Sequence, residues 1–265
     1  MSERVLAPFG RRACRMAGAE AIGAYRLLRV ADPEGPRPWP GQFYMLAAVD
    51  RWGAGEDDRP YLPRAFSFLS AGDGTLEFLL EDVGPGTRRL GELRTGEDMW
   101  IAGPFGNGFA LPKDGRRPIL CGGGVGVPPL VALRSRLDGD VSAILGFRDA
   151  EHAEAAGLLD GAQVATDDGS VGHHGLVTEL LAKALGDDVV VYSCGPPAML
   201  EAVRVLCTER DVPAQLALES GMACGFGACW GCVVATRDGY RRVCVDGPVL
   251  EAAELDSALL PGIGH

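Results

Sequence analysis

The chain has 265 residues, of which 47% are hydrophobic, and its formal net charge is −11. This length and apolar content suffice for two packed domains, or for two domains and a small module. The negative charge and the lack of a Lys/Arg-rich run argue against nucleic acid and anionic membranes as partners. The first twenty residues hold no signal-peptide-like apolar segment, and no run approaches the ~18 apolar residues of a membrane span. We therefore expect a cytoplasmic protein that keeps its thiols reduced.

Residues 1–112 are predicted to form an all-β domain. Short apolar runs, separated by Gly- and Pro-rich turns, recur at 25–30, 43–49, 65–69, 76–80 and 99–102. Regularly spaced short strands with such turns are typical of a small β-barrel. The polar, Gly-containing segment 51–60 is predicted to be an exposed loop.

Two segments of this domain suit a nucleotide-type cofactor. Arg64 can bind a pyrophosphate bidentately, and Ser67 can hydrogen-bond a heteroatom of a flat ring. Gly86 and Thr87 lie where a glycine turn opens a short helix, whose free N–H groups suit a phosphate, and Thr87 is placed near the N-cap. Each segment has a plainer alternative: the solvent face of a strand for the first, and an ordinary β-to-helix turn for the second.

Residues 113–218 are predicted to form a nucleotide-binding α/β domain. Its predicted strands are 116–121, 141–147, 162–166, 189–194 and 214–218, and its predicted helices are 127–137, 176–185 and 196–210. Apolar strands that alternate with helices predict a parallel sheet covered on both faces.

Two glycine-containing turns follow strands of this predicted sheet. Glycines let the backbone approach a diphosphate, although the first turn does not have the G-x-G-x-x-G spacing. Ligands of such sheets bind at the carboxyl ends of the strands near the switch point, so both turns are predicted to outline one dinucleotide crevice. The candidate residues are Gly122, Gly123, Gly124, Gly126, Cys194, Gly195 and Pro196.

Carboxylates follow another predicted strand of the same sheet. Asp168, next to Asp167, could accept hydrogen bonds from ribose hydroxyls and would repel a 2′-phosphate. This position favours NAD over NADP, and a solvated turn is the alternative interpretation.

Residues 219–265 are predicted to form a small module around four cysteines. Cys224, Cys229 and Cys232 have the C-x4-C-x2-C spacing of plant-type [2Fe–2S] proteins, and Cys244 follows after eleven more residues. The glycines between them permit a tightly wrapped loop. A hairpin of strands 233–236 and 240–245, with its turn at 238–239, would return Cys244 to that loop. A set of disulfides needs an oxidising compartment, and a four-cysteine zinc site usually has two C-x2-C pairs.

The chain resembles the electron-transfer subunits of heteromeric, NAD-dependent dihydroorotate dehydrogenase, within the ferredoxin–NADP reductase superfamily. The resemblance covers nearly the whole chain and rests on the segments RAFS (64–67), GPGT (84–87), GPFGNGF (103–109), GGGVGVPPL (122–130), CGPPAML (194–200) and the cysteine block 219–248. Only the last block is specific to that family. The family usually has proline where this chain has Ala65, and often an aromatic residue where it has Leu79 and Leu80.

This resemblance implies a flavin-binding β-barrel, a central ferredoxin reductase-like domain that binds NAD, and a C-terminal module that binds a [2Fe–2S] cluster. NAD exchanges two electrons as hydride and the cluster carries one, so a flavin must lie between them. The metal ligands would be the four cysteines. The FAD would be lined by Arg64, Ala65, Phe66, Ser67, Leu79, Leu80, Glu81, Gly86 and Thr87.

The resemblance also implies a partner, an FMN-containing α/β-barrel subunit that oxidises dihydroorotate, in a heterotetramer of two copies of each chain. This chain itself would then hold no dihydroorotate site and no catalytic acid, base or nucleophile. Phe226 and Trp230, inside the cysteine loop, are predicted either to shield the cluster or to anchor the partner.

Three other functions remain open from the sequence. One is the NADH-dependent reductase component of an oxygenase, although only 47 residues follow Leu218, too few for a β-grasp ferredoxin domain. Another is the flavin subunit of a ferredoxin- or sulfide-linked complex. The third is a zinc-binding module without enzymatic activity, which would lack flavin and iron–sulfur absorption bands.

Overall fold

The computed structural model describes residues 4–8, 10–53, 60–113 and 115–259. Within these ranges the strands form two seven-stranded sheets and one two-stranded hairpin. Most of the loop predicted at 51–60 lies outside the described residues. No helix in the described ranges is both long enough and apolar enough to cross a membrane.

The first sheet is antiparallel and belongs to the N-terminal part of the chain. Its strands are β1 (Arg12–Ile22), β2 (Tyr25–Ala31), β3 (Phe43–Ala48), β4 (Arg64–Ser67), β5 (Ser70–Gly72), β6 (Thr75–Glu81) and β7 (Asp98–Phe105). Their order is β4-β3-β7-β1-β2-β6-β5. Only Phe68 and Leu69 join β4 to β5, so the two edges of the sheet meet there and the sheet curls into the predicted barrel.

Strand β1 was not predicted, because its sequence RACRMAGAEAI is rich in Ala and charged residues, which have little preference for strands. Pairing with two neighbouring strands stabilises β1 despite its low strand propensity. It runs antiparallel to β2 on one side and to β7 on the other. A short helix, α1 (Pro85–Gly91), connects β6 to β7.

Strand β3 is buried along its whole length. Side chains alternate across a strand. Tyr44 and Leu46 therefore enter the barrel core, where the Tyr44 ring packs edge-on against Phe78 with centroids 5.6 Å apart. Phe43 and Met45 face the other way, into a second apolar cluster that extends into the rest of the chain. The barrel is thus joined to the remainder of the molecule by a shared core.

The elements of the second half confirm the alternating α/β pattern. They are β8 (Arg117–Gly123), α2 (Val127–Arg134), β9 (Ser142–Phe147), α3 (Ala150–Ala153), β10 (Gln163–Thr166), β11 (His173–His174), α4 (Val177–Ala184), β12 (Val189–Cys194), α5 (Pro197–Glu209), β13 (Ala214–Ala217), β14 (Val233–Thr236), β15 (Gly239–Arg242) and β16 (Val249–Glu251).

The second sheet has the order β11-β10-β9-β8-β12-β13-β16 and is parallel except for the β13–β16 pair. The first strand, β8, lies at the centre, and the chain reverses its direction of progress between β8 and β12. Leu130 and Leu133 of α2 pack into a different apolar cluster from that of Leu181 in α4 and Leu200 in α5. Helices therefore cover both faces, and the switch point of a doubly wound sheet lies between β8 and β12.

The module that carries the cysteines is held to both sheets. Strand β16 adds to the edge of the second sheet beside β13. On the barrel side, the Asn107 side-chain amide donates to the carbonyl oxygens of Val245 (3.2 Å) and Asp246 (2.9 Å). The segment GPFGNGF is thus a structural joint between barrel and module. The hairpin turn is Arg237–Asp238, one residue earlier than predicted, because Gly239 already pairs with Thr236.

Candidate functional site

An open seam in the barrel lies where the flavin was predicted. Strand β4 is at the end of its sheet and pairs with β3 on one side only. Strand β6 pairs with β2 along its length, but with β5 only at residues 75–77. Among the described residues, the outer backbone groups of Arg64–Ser67 and of residues 78–81 therefore have no strand partner. A flat ring edged with heteroatoms can hydrogen-bond to such groups.

Arg64 and Gly86, 22 positions apart in sequence, meet at this seam. A Cβ atom on Gly86 would lie 2.7 Å from Arg64 Cζ, so the guanidinium rests directly on the first turn of α1. The guanidinium also donates to the Leu62 carbonyl oxygen at 2.5 Å and lies 5.8 Å from the Trp52 ring centroid. Within the described part of the chain, no carboxylate pairs with Arg64. The two predicted phosphate-binding elements therefore form one cationic cradle.

Thr87 is placed differently from its prediction. Gly84 is the N-cap of α1, and Thr87 is the third helical residue. Its hydroxyl accepts from the N–H groups of Val83 (2.9 Å) and Gly84 (3.1 Å) and donates to the Gly84 carbonyl at 3.0 Å. Thr87 therefore shapes the turn that brings Gly86 under Arg64.

The segment 79–81 offers mainly its backbone to a cofactor. Leu79 and Leu80 are buried in apolar clusters, so their side chains are already packed. The Glu81 carboxylate forms an ion pair with Arg148, which follows β9, and lies 3.4 Å from His152 Nε2. Glu81 thus links the barrel to the second sheet, and its contact with the flavin stays a prediction.

The two glycine-containing turns of the second sheet lie against each other at the switch point. A Cβ atom on Gly126 would lie 2.5 Å from the Cys194 carbonyl carbon and 2.6 Å from the Gly195 nitrogen. One on Gly123 would lie 2.5 Å from Met199 Sδ. These glycines are needed first for the turns to pack together. Gly124 has φ +52°, and a Cβ atom there would meet only Tyr25 Oη, at 3.9 Å, so a ligand could approach the backbone at this residue.

Asp168 already has a structural role in its turn. Its Oδ1 accepts from the Ser170 N–H at 2.9 Å and from the Ser170 hydroxyl at 2.6 Å. These bonds, with the side-chain bond first, lower the pKa of Asp168. The geometry supports the turn interpretation, and ribose recognition by Asp168 stays a prediction.

Glu219 is a candidate that the sequence analysis did not single out. It follows β13, which lies beside β12 at the switch point, and its charge contributes, after burial, to the raised pKa of Cys194. The Glu219 side chain is open at the crevice, yet the surrounding protein removes enough solvent to raise its pKa to about 7. A carboxyl group that titrates near neutral pH in a crevice is a functional candidate.

The cysteine loop directs backbone N–H groups at sulfur. Burial acts to raise the pKa of Cys224, but N–H donors from Phe226, Cys229 and Ala228, together with the Cys229 thiol, lower it to about 6. Cys232 and Cys244 are buried, with their Sγ atoms 3.2 Å apart, and the Cys244 N–H lies 3.4 Å from Cys232 Sγ. Hairpin β14–β15 therefore brings the distant Cys244 back to the loop.

The four thiols form two pairs, Cys224 with Cys229 and Cys232 with Cys244. Across the described ranges, no three His, Cys, Asp or Glu side chains converge closely enough to hold one metal ion. A single zinc ion would need all four thiols around one point. Two pairs suit a core with two irons, each of which takes two thiolates. The donor set thus fits a [2Fe–2S] cluster, and its ligation by these cysteines stays a prediction.

Comparisons with known proteins agree with this geometry. Residues 219–256 match a family model described as the iron–sulfur cluster binding domain of dihydroorotate dehydrogenase B. A protein of Caldanaerobacter subterraneus, named dihydroorotate dehydrogenase B (NAD(+)), electron transfer subunit, is 37% identical over 84% of this chain and 89% of its own length. A protein of Shouchella clausii with the same name is 40% identical over 82% and 86%, respectively.

Solved structures show the same architecture. An NADH-dependent reduced ferredoxin–NADP oxidoreductase has a TM-score of 0.79 at 22% identity, with 94% of this chain and 92% of that chain covered. A ferredoxin NADP+ reductase from Neisseria gonorrhoeae with bound FAD and NADP has a TM-score of 0.60 at 20% identity, covering 75% and 91%. These likenesses establish the ferredoxin reductase-like fold.

Replacement of Arg64 by alanine is expected to deplete the purified protein of flavin without unfolding it. The change removes a bidentate charged contact worth roughly 1.5–3 kcal/mol, which is about ten- to a hundredfold in affinity. Flavin absorbance per chain measures the loss, and Arg88→Ala, which removes an exposed arginine of helix α1, is the matched control. Full flavin occupancy in Arg64→Ala would show that the cradle holds no pyrophosphate.

Replacement of Cys232 by alanine should abolish the cluster and leave the flavin bound, because one iron loses a thiolate while the barrel seam is untouched. Anaerobically purified wild-type protein should contain about two irons and two acid-labile sulfides per chain. Cys14→Ala, at a buried thiol of the barrel, should retain both. Tightly bound zinc without labile sulfide in the wild type would refute the assignment.

Replacement of Glu219 by glutamine should change how stability depends on pH. The folded-state pKa of Glu219, about 7, lies above its ordinary value of 4.5, so the folded form binds the extra proton between these values. The wild-type melting temperature should therefore fall, relative to that of Glu219→Gln, as pH rises from 4.5 to about 7. Parallel pH profiles for the two proteins would mean that Glu219 titrates normally.

Proposed function

The chain belongs to the family of electron-transfer subunits of dihydroorotate dehydrogenase B, and from this premise we propose how its residues divide the work. It is an NAD-linked oxidoreductase subunit of pyrimidine biosynthesis that uses FAD and an iron–sulfur cluster. The observation that carries the proposal is the pairing of the four thiols in a module packed on the flavin-binding side of the barrel. We propose that electrons pass from a partner through this module and the barrel seam to NAD.

Each of the three segments of the chain is proposed to bind one cofactor. The barrel, residues 1–112, would hold FAD along the free edges of β4 and β6, with Arg64 against the pyrophosphate. Residues 113–218 would hold NAD at the turns of the switch point. The module, from residue 219 onward, would hold the cluster through its two cysteine pairs. FAD supplies the ability to exchange one or two electrons.

The chain's own side chains prepare these steps. Arg64 neutralises charge at the seam, and the packed turns near Gly126 and Gly195 fix the crevice at the carboxyl end of the sheet. Desolvation by the surrounding protein raises the pKa of the Glu219 carboxyl group, which lies close enough to Cys194 to raise the pKa of that thiol as well. The Glu81–Arg148 ion pair joins the barrel to the nucleotide sheet, so the flavin edge and the NAD crevice keep a fixed relation.

The partner is proposed to be the catalytic subunit, an FMN-containing α/β barrel, in a heterotetramer of two copies of each chain. The names of the relatives, as electron-transfer subunits, imply a catalytic subunit. Phe226 and Trp230 are 62% and 59% exposed beside the cysteines. Arg242 Cζ lies 4.8 Å from the Trp230 ring centroid and holds that ring in place. Exposed, rigid aromatics are typical anchors of an interface.

A reductase component of an oxygenase is the second candidate. The ferredoxin reductase of carbazole 1,9a-dioxygenase shares the fold, with a TM-score of 0.62 at 23% identity, but only 75% of this chain is covered. The curated relatives are 34–40% identical and carry the dihydroorotate dehydrogenase name. The proposed assignment rests on that difference and on the family match over 219–256.

Reconstitution with the FMN-containing catalytic subunit tests the proposal. Alone, the chain should pass electrons from NADH to artificial acceptors and should not oxidise dihydroorotate. Addition of the partner should produce dihydroorotate-dependent NAD reduction, followed by absorbance at the NADH band. If the isolated chain oxidised dihydroorotate, or if the mixture gave neither complex nor NAD reduction, the oxygenase-reductase function would replace this one.

Trp230→Ala locates the interface in the same assay. Loss of an interface anchor costs about 2 kcal/mol or more, so the complex should dissociate roughly thirtyfold more readily, with cluster and FAD retained. Leu176→Ala is the matched control, because Leu176 is also 59% exposed but lies at the start of α4. Equal affinity of the wild type and Trp230→Ala would leave Trp230 as a shield of the cluster.

A further inference from the structure

Met45 connects the barrel to the cysteine loop. It lies on β3, is 3% exposed, and points away from the barrel core. The shared apolar cluster that contains Met45 also contains Cys232 and Cys244. The thioether is therefore buried in the same packed region as one of the two cysteine pairs.

The loop touches Met45 at the residue after the first cysteine. A Cβ atom on Gly225 would lie 2.5 Å from Met45 Cγ and 2.8 Å from its Sδ. The loop backbone thus rests on the methionine side chain with no space for a methyl group. Gly225 also has φ +77°, so the chain turns back over Met45 immediately after Cys224.

On the other side of this contact is the strand with the free edge. Met45 pairs with Ala65 of β4, and the small Ala65 side chain packs on the same apolar cluster. One edge of β4 pairs with β3, and its opposite edge is the unpaired one at the barrel seam. Met45 and Ala65 therefore fill the space between the cysteine loop and the proposed flavin edge.

We propose that Met45 is a positioning residue for electron transfer, whose side chain sets the gap between the cysteine loop and the flavin-binding strand. This inference rests on the proposed function. Each transfer moves one electron and neither makes nor breaks a bond. Its rate falls steeply as the distance between the two electron carriers increases. A functional site needs such a supporting layer, because a loop held loosely places its group imprecisely.

A double-mutant cycle tests this role in the holoprotein. Rapid mixing with NADH under anaerobic conditions follows flavin reduction and then cluster reduction by their separate absorbance bands. Met45→Ala should slow the second step about tenfold, equivalent to about 1.4 kcal/mol, and leave the first unchanged. Gly225→Ala should also slow it, because its methyl group displaces the loop.

The combined variant gives the sharpest result. Truncation of Met45 to alanine removes the Cγ, Sδ and Cε atoms that a methyl group added at Gly225 would strike, so the two changes should not add. Met45→Ala/Gly225→Ala is expected to transfer electrons at least as fast as Gly225→Ala alone. Simple additivity of the two effects would show that the residues do not act through their contact, and would overturn the inference.

Two control variants distinguish an effect on the position of the cysteine loop from a general loss of protein stability. Met16→Ala truncates a methionine that is 1% exposed in the barrel core, and should lower stability without slowing the second step. Met45→Leu, which fills a similar volume, should keep the wild-type rate of cluster reduction. Cluster content and the electron paramagnetic resonance spectrum of each variant should match the wild type. If Met45→Ala loses its cluster, Met45→Val, which also lacks Sδ and Cε, takes its place.

Failure of the proposed function and failure of the role of Met45 give different results. If NADH reduces no cluster in the wild type, the proposed function fails before Met45 is tested. If the wild type transfers electrons and Met45→Ala, with full cofactor content, does so equally fast, only the role of Met45 fails.

Discussion

The structure depends on a strand that is buried on both faces. Strand β3 sends Tyr44 into the barrel core and Met45 into the cluster that surrounds Cys232 and Cys244. A strand packed on both sides cannot shift without disturbing both cores, since interiors are close-packed. The barrel seam and the cysteine loop are consequently held at a fixed relation, which electron transfer between two sites requires.

The second constraint is the packing of backbone on backbone at the switch point. Gly126 lies on the peptide between Cys194 and Gly195, where a methyl group would clash with main-chain atoms that cannot yield. The glycines therefore serve the fold as well as any ligand. The turn can therefore depart from the G-x-G-x-x-G spacing, because Gly123 and Gly126 are required by contacts with the neighbouring turn, whereas a side chain at Gly124 would meet only Tyr25.

Local patterns predicted the parts of the fold whose signals are local. The apolar runs predicted the parallel sheet and the cysteine spacing predicted the iron–sulfur cluster, whereas FAD followed from the family resemblance. Strand β1 was missed because its Ala-rich, charged sequence becomes a strand only through its two neighbours. Glu219 was missed because a single carboxylate acquires its raised pKa from surroundings assembled by distant segments. The contact between Gly225 and Met45, 180 positions apart, has no sequence signal at all.

In this protein one chain joins a one-electron carrier, the cluster, to a two-electron carrier, the flavin. Anaerobic titration of the isolated protein with NADH, followed at the flavin and iron–sulfur bands, tests it directly. The account predicts uptake of about three electrons per chain, two by the flavin and one by the cluster. Uptake of only two electrons, with no change at the iron–sulfur band, would contradict it.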